Sequence, residues 1–260
     1  MATLQNKVIS ITGAASGIGR ATALECAARG ASLALSDINT AGLAATVAAL
    51  AEKGVGQDRV HHQTLDVTKS DDVDSWIAAV VAHYGRLDAA ANVAGILGPP
   101  GGSVFKNIVD MPNDHWDALI NINLTATFYC LRAELRVMKA GGSILNVASM
   151  AGVMGRPGIA AYSTSKHGVV GLSRSAAKEV GERRIRVNAL APGPVDTPML
   201  TQMKSGAGDG DNAVTNTYKN VPLQRLGTAE DMARTIAFAL SDDAAYTNGA
   251  TFSVDGGIAC

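Results

Sequence analysis

At 260 residues with 47% hydrophobic side chains, the chain is long enough to bury a large core as one α/β unit. Only 4% of its residues are aromatic, so that core is aliphatic, and a formal net charge of −1 with no long basic run argues against a nucleic-acid partner. No apolar run approaches a membrane span and residues 1–7 lack the apolar stretch of a secretory signal, so a soluble, cytoplasmic protein is expected.

Strand-like and helix-like patterns alternate from end to end. Residues 8–12 are a β-branched run stopping at Gly13, and 18–29 have helical spacing ending at Gly30, a natural left-handed terminator. Residues 32–36 form the second strand, 40–53 an alanine-rich helix and 60–64 the third strand. Ser70 is placed to cap the next helix, with Asp71, Asp72 and Asp74 where the helix dipole favours anions. Val73, Ile77, Val80, Val81 and Tyr84 make one apolar stripe along it, closed by Gly85. There follow a strand over 87–92, a long helix over 114–138 and a strand over 143–147. A helix over 159–183, a strand over 186–191, a helix over 228–240 and a last strand over 251–254 complete the series. Repeated strand–helix–strand units predict a doubly wound, Rossmann-type α/β fold. Its seven-stranded sheet is expected to be mostly parallel, with helices on both faces and one domain spanning 1–260.

Two stretches break the rhythm. Gly98-Pro99-Pro100-Gly101-Gly102 is a loop beside the expected cleft. Residues 201–221 are polar and glycine-rich at their centre, a composition expected of a lid that orders over substrate, with a disordered surface insertion of no substrate role as the alternative. The flanks of that segment carry Met199, Leu200 and Met203 on one side and Val214, Tyr218 and Val221 on the other, suited to a bulky, mostly apolar ligand. Cys26, Cys130 and Cys260 have no metal or redox spacing, and no metal site is expected. The adjacent His61 and His62 face opposite sides of a strand and read as structural, and the Arg183–Arg186 cluster reads as a helix end running into a strand.

Between the first strand and first helix stands Thr12-Gly13-Ala14-Ala15-Ser16-Gly17-Ile18-Gly19. Glycines there let backbone approach a pyrophosphate, and the helix start offers unpaired N–H groups at a positive dipole end. Gly13, Ser16, Gly17, Ile18 and Gly19 are therefore candidate phosphate contacts. Asp37 follows the second strand roughly 20 residues on, where a carboxylate accepts hydrogen bonds from the adenosine ribose. That carboxylate repels a 2′-phosphate, and neither Ser16 nor Ile38 brings a compensating cation. NAD is expected rather than NADP.

Tyr162 and Lys166 are spaced i, i+4 and share one helix face. A free phenol titrates near 10, and a neighbouring ammonium that lowers it by two needs to supply only about 2.7 kcal/mol. Tyr162 can then exchange a proton with an alcohol or carbonyl oxygen, and Ser149, just past the fifth strand, can hold that oxygen. Ser149, Tyr162-Ser163-Thr164-Ser165-Lys166 and the glycine turn together resemble the short-chain dehydrogenase/reductase family. So do Asp66-Val67, Asn92-Val93-Ala94-Gly95, Asn123-Leu124, Pro192-Gly193 with Thr197, and Asp255-Gly256-Gly257, a likeness running from Lys7 to Gly257. It implies that Lys166 also binds the nicotinamide ribose and that Asn123, rather than Asn121, anchors a water for proton relay. It further places Asp66 and Val67 at the adenine, Asn92, Ala94 and Gly95 along the cleft, and Pro192, Gly193, Val195 and Thr197 at the nicotinamide side. For Asn92, bracing the sheet is an equal alternative to cofactor contact.

The activity implied is hydride transfer between NAD(H) and a small-molecule secondary alcohol or ketone. The alternative is a non-catalytic NAD-binding module, which has no need of a tyrosine–lysine pair. The resemblance also implies a homotetramer paired through its long helices, one of which carries Trp116, Ile120, Leu124, Phe128, Leu131 and Leu135 at helical spacing.

Overall fold

The computed structural model describes residues 3–99, 101–205 and 221–259. Its strands are β1 (Val8–Thr12), β2 (Ser32–Asp37), β3 (Val60–Thr64), β4 (Ala89–Asn92), β5 (Ser143–Val147), β6 (Arg186–Pro192) and β7 (Thr251–Val254). The helices are α1 (Gly17–Ala28), α2 (Thr40–Glu52), α3 (Ser70–Tyr84), α4 (Asn113–Ile120), α5 (Ala126–Val137), α6 (Ala160–Glu179), α7 (Pro198–Ser205) and α8 (Ala229–Leu240). Cys260 and all but the two ends of the expected lid lie outside the described residues.

All seven strands form one sheet in the order β3-β2-β1-β4-β5-β6-β7, and every pair is parallel. A parallel sheet needs both faces covered, and β1 shows how its sequence meets that need. Ile9 and Ile11 point to one face, into a core shared with Leu33, Leu35, Leu43 of α2 and Ile236 of α8. Val8 points to the other, with Ala34, Trp76 of α3, Leu131 of α5 and Ala176 of α6. The chain order reverses between β1 and β4, and the carboxyl ends of those strands open the crevice where ligands of such sheets collect.

Several boundaries differ from expectation for tertiary reasons. Ser70 does not cap α3: Lys69 holds the N-cap position without a side-chain cap, and the Ser70 hydroxyl accepts from Arg132 of α5 at 2.7 Å. The helix expected over 114–138 is interrupted by a π-helical turn, Asn121–Thr125, between α4 and α5. The expected strand over 87–92 starts at Ala89, and α6 ends at Glu179, before a 3-10 turn at Gly181–Arg183.

The basic cluster beyond α6 serves helix ends. Arg183 donates to the Leu135 and Met138 carbonyls at the end of α5, and Arg186 to Ala239 and Ser241 at the end of α8. Cations there satisfy carbonyls that the helices leave unpaired. Cys26 and Cys130 are buried core thiols, and burial pushes Cys26 up to about 12. His61 stacks on Trp76 and His83, a packing role.

Candidate active site

A cleft of about 460 Å³ runs along the carboxyl ends of the strands. At one end lies the turn between β1 and α1. Gly13 and Gly17 have φ of +69° and +48°, conformations that L side chains resist. A Cβ on Gly13 would lie 2.9 Å from the Ala94 nitrogen, and one on Gly19 would lie 2.0 Å from the Gly13 carbonyl oxygen. The turn is thus packed too closely for any side chain at these places. Ser16 precedes α1 without capping it by its side chain, which leaves N–H groups at the helix start directed at the cleft. These features fit a pyrophosphate.

Neighbouring loops are tied to this turn. Thr12 Oγ1 accepts from the Val93 and Ala94 nitrogens at 3.1 and 3.2 Å, fixing the loop after β4. Asp37 accepts from the Ala15 nitrogen at 2.9 Å and the Asn39 nitrogen at 2.8 Å, so its carboxylate braces the glycine turn while still lining the cleft. Asp66 folds back on the Thr68 nitrogen and hydroxyl, and Asp66 and Val67 line the same end.

Farther along, β5 delivers Ser149 and the first turns of α6 deliver Tyr162 and Lys166 to the same wall. Tyr162 and Lys166 are 7% and 4% exposed. Lys166 Nζ donates to the Val147 carbonyl at 2.9 Å and stands 5.8 Å from the Tyr162 ring centre. Burial pulls Lys166 down to about 8. Tyr162 differs from expectation: burial pushes its phenol up, and it is a hydrogen bond with Ser149, not the charge of Lys166, that opposes the rise. The Lys166 ammonium donates to a backbone carbonyl, and burial disfavours its charged form.

The side chains of two expected site residues are hydrogen-bonded within the fold. Asn92 does not line the cleft; its amide donates to Glu134 at 3.0 Å and Asn146 at 2.9 Å, deep between β4, β5 and α5. Asn123 is fully buried in the π-helical turn, and its amide spends both hydrogens on the Ile96 carbonyl and Ser165 hydroxyl while its oxygen accepts from the Ile96 nitrogen. The Asn123 side chain thus ties the segment after Gly95 to α6. The other expected residues, Gly13, Ser16, Gly17, Ile18, Gly19, Asp37, Asp66, Val67, Ala94, Gly95, Ser149, Tyr162, Lys166, Pro192, Gly193, Val195 and Thr197, all line the cleft. The loop after β6 closes the glycine turn from above: a Cβ on Gly17 would meet Thr197 Cγ2 at 3.3 Å.

Beyond Ser149 and Tyr162 the lining is Ile96, Leu97, Met150, Arg156, Ile159, Met199 and Leu200, of which only Met199 and Leu200 were singled out from sequence. A signal was available for Arg156 and Ile159: the chain joining Ser149 to Tyr162 has to pass the cleft. The loop carrying Gly98 and Gly102 packs here too, through Lys106, whose nitrogen donates to the Gly158 carbonyl at 2.8 Å. Among the described residues no cluster of His, Cys, Asp and Glu could hold a metal ion, and no helix is long and apolar enough to cross a membrane.

A family model described as enoyl-(acyl carrier protein) reductase matches residues 13–259. The chain is 42% identical over 255 residues to the short-chain dehydrogenase/reductase aba4 of Botryotinia fuckeliana strain B05.10, covering 98% of this chain and 97% of that one. It is 35% identical over 253 residues to a cyclohexanol dehydrogenase of Acinetobacter sp. strain SE19, covering 96% and 94%. The crystal structure of a levodione reductase superposes with a TM-score of 0.92 at 35% identity, covering 98% of each chain. The chain belongs to the short-chain dehydrogenase/reductase family, a family of oxidoreductases.

Proposed function

We propose that this protein is an NAD(H)-dependent oxidoreductase of a single domain that interconverts a secondary alcohol and its ketone. One observation carries the reading: Ser149, Tyr162 and Lys166 meet on the wall of a cleft that also contains the glycine turn. Relatives named a cyclohexanol dehydrogenase and a levodione reductase support alcohol and ketone chemistry. Gly13 and residues 16–19 hold the pyrophosphate, Asp37 the adenosine ribose, Asp66 and Val67 the adenine. Ala94, Gly95, Pro192, Gly193, Val195 and Thr197 flank the nicotinamide half. The dinucleotide supplies or accepts the hydride. Tyr162 takes the hydroxyl proton in oxidation and returns it in reduction, and Ser149 orients the reacting oxygen through the same hydrogen-bonded pair. Lys166, with its ammonium at about 8, is mostly cationic at neutral pH and holds the ribose hydroxyls. The apolar wall of Ile96, Leu97, Met150, Ile159, Met199 and Leu200 suits a bulky carbon skeleton.

Cofactor choice gives the direct test. With one alcohol substrate, kcat/KM is expected to favour NAD+ over NADP+ by about tenfold or more, equivalent to about 1.4 kcal/mol. Asp37→Asn keeps an acceptor for the ribose and removes the charge, so it is expected to narrow that ratio. A parent enzyme preferring NADP+ overturns the assignment.

The protein is further proposed to act in the cytoplasm as a homotetramer. Trp116 of α4 and Phe128 of α5 are each 40% exposed, large apolar groups on the two parts of one of the long helices expected to pair. Light scattering at micromolar concentration is expected to report four copies, and a monomer there contradicts the proposal.

A further inference from the structure

The cleft is apolar beyond the catalytic wall with one exception, the half-buried Arg156. It sits on the loop between Ser149 and Tyr162, and its guanidinium reaches back to the Met150 sulfur at 3.7 Å, one residue from Ser149. A thioether is a weak acceptor for a group with five N–H donors. Several other arginines of the chain end on oxygen: Arg59, Arg183 and Arg186 on carbonyls, Arg86 and Arg136 on carboxylates. No carboxylate of the described residues pairs with Arg156. A planar cation beside apolar side chains, its fork unmatched by protein oxygen, is complementary to a planar anion. The loop is also held in place: Ile159 is buried against Tyr162 and Leu97, and the Gly158 carbonyl accepts from the Lys106 nitrogen. The guanidinium is therefore presented from a fixed wall.

We propose that Arg156 is a specificity-determining residue that selects substrates bearing a carboxylate on the carbon skeleton, remote from the reacting carbon. Building on the oxidoreductase reading above, it narrows the substrate class to hydroxy acids and keto acids with an apolar body. The reacting oxygen lies at Ser149 and Tyr162, the skeleton lies along Ile96, Leu97 and Ile159, and the carboxylate meets Arg156. Two-point attachment of this kind fixes which carbon faces the hydride donor.

A matched pair of probes tests it: 4-oxocyclohexanecarboxylate and its methyl ester, titrated calorimetrically onto the NAD+-saturated protein and assayed as ketone substrates with NADH. The parent is expected to bind the acid about tenfold or more tightly than the ester, as a charge-assisted pair would require. In Arg156→Gln the acid-to-ester ratio is expected to fall to about one, and Arg156→Lys, which keeps the charge and loses the fork, to lie between. A parent that does not distinguish the two, or an Arg156→Gln variant that keeps the parent's ratio, overturns the proposal. The outcomes separate the two readings. An Arg156-dependent preference without turnover keeps the carboxylate site and removes the oxidoreductase assignment. Turnover of both probes with equal KM does the reverse.

Discussion

Tyr162→Phe is expected to lower turnover by about 10²- to 10⁴-fold, the range that a positioned acid–base group supplies, while affinity for NAD+ stays within a few-fold. The substitution removes one oxygen from a ring that is 7% exposed and packed against Leu97, Ile159 and Ala161, so the wall keeps its shape. What disappears is the group that gains or loses the proton, together with its hydrogen bond to Ser149. Because burial holds the phenol above its ordinary value, the base form is scarce near neutrality, and alcohol oxidation by the parent is expected to accelerate as pH rises. Steady-state assays in both directions, with cofactor affinity from quenching of protein fluorescence, read both halves. A Phe variant within a few-fold of the parent would falsify the role given to Tyr162.

The second large effect lies beneath the site and concerns stability. Glu134 of α5 is 1% exposed, and burial raises its carboxyl to about 7 against a hydrogen bond from Asn92 that works the other way. Its Oε2 accepts from that amide at 3.0 Å, while its Oε1 and the Asn92 Oδ1 have no partner. The sign follows from where protons sit. Between about pH 4.5 and 7 the folded protein keeps a proton on Glu134 that the unfolded chain releases, so stability falls as pH climbs through that window and levels off above it. Above pH 7 the deficit amounts to about 3 kcal/mol. Glu134→Gln retains an oxygen for the Asn92 amide and adds a neutral donor where two acceptors stand unpaired. The variant is expected to match the parent near pH 4 and to exceed it by up to about 3 kcal/mol at pH 8. Denaturant unfolding at the two pH values measures the difference. A gap that does not change with pH would show that Glu134 does not titrate in this window.

Asn92 and Asn123 mark where reading the chain stopped short. Both stand in segments that lead into the cleft; the family resemblance placed Asn123 on the proton path and Asn92 along the cleft, with bracing the sheet an equal alternative for Asn92. The folded protein uses their side chains as clamps, Asn92 to Glu134 and Asn146, and Asn123 to Ile96 and Ser165. An amide has the same donors and acceptors whether it meets a ligand or a neighbouring strand, so nothing local distinguishes the two fates. Ser70 is a parallel case: a sound capping residue by type, it is drawn to Arg132 because α3 and α5 pack side by side.

Local rules account for what was legible in the sequence by itself. The alternation of Val8, Ile9 and Ile11 between two cores follows from a two-residue period, and the parallel pairing of seven strands follows from repeated crossovers. Gly13, Gly17 and Gly19 announce a turn that only glycine fits, and Tyr162 with Lys166 share a face because four residues make about one helical turn. Each of these depends on residues close together in the chain. Tertiary structure alone decided the rest. The raised phenol of Tyr162, the titration of Glu134 and the placement of Arg156 depend on burial and on partners up to dozens of residues away, such as the 42 that separate Asn92 from Glu134. Desolvation is set by what the whole chain packs around a group, and a sequence pattern carries no measure of it.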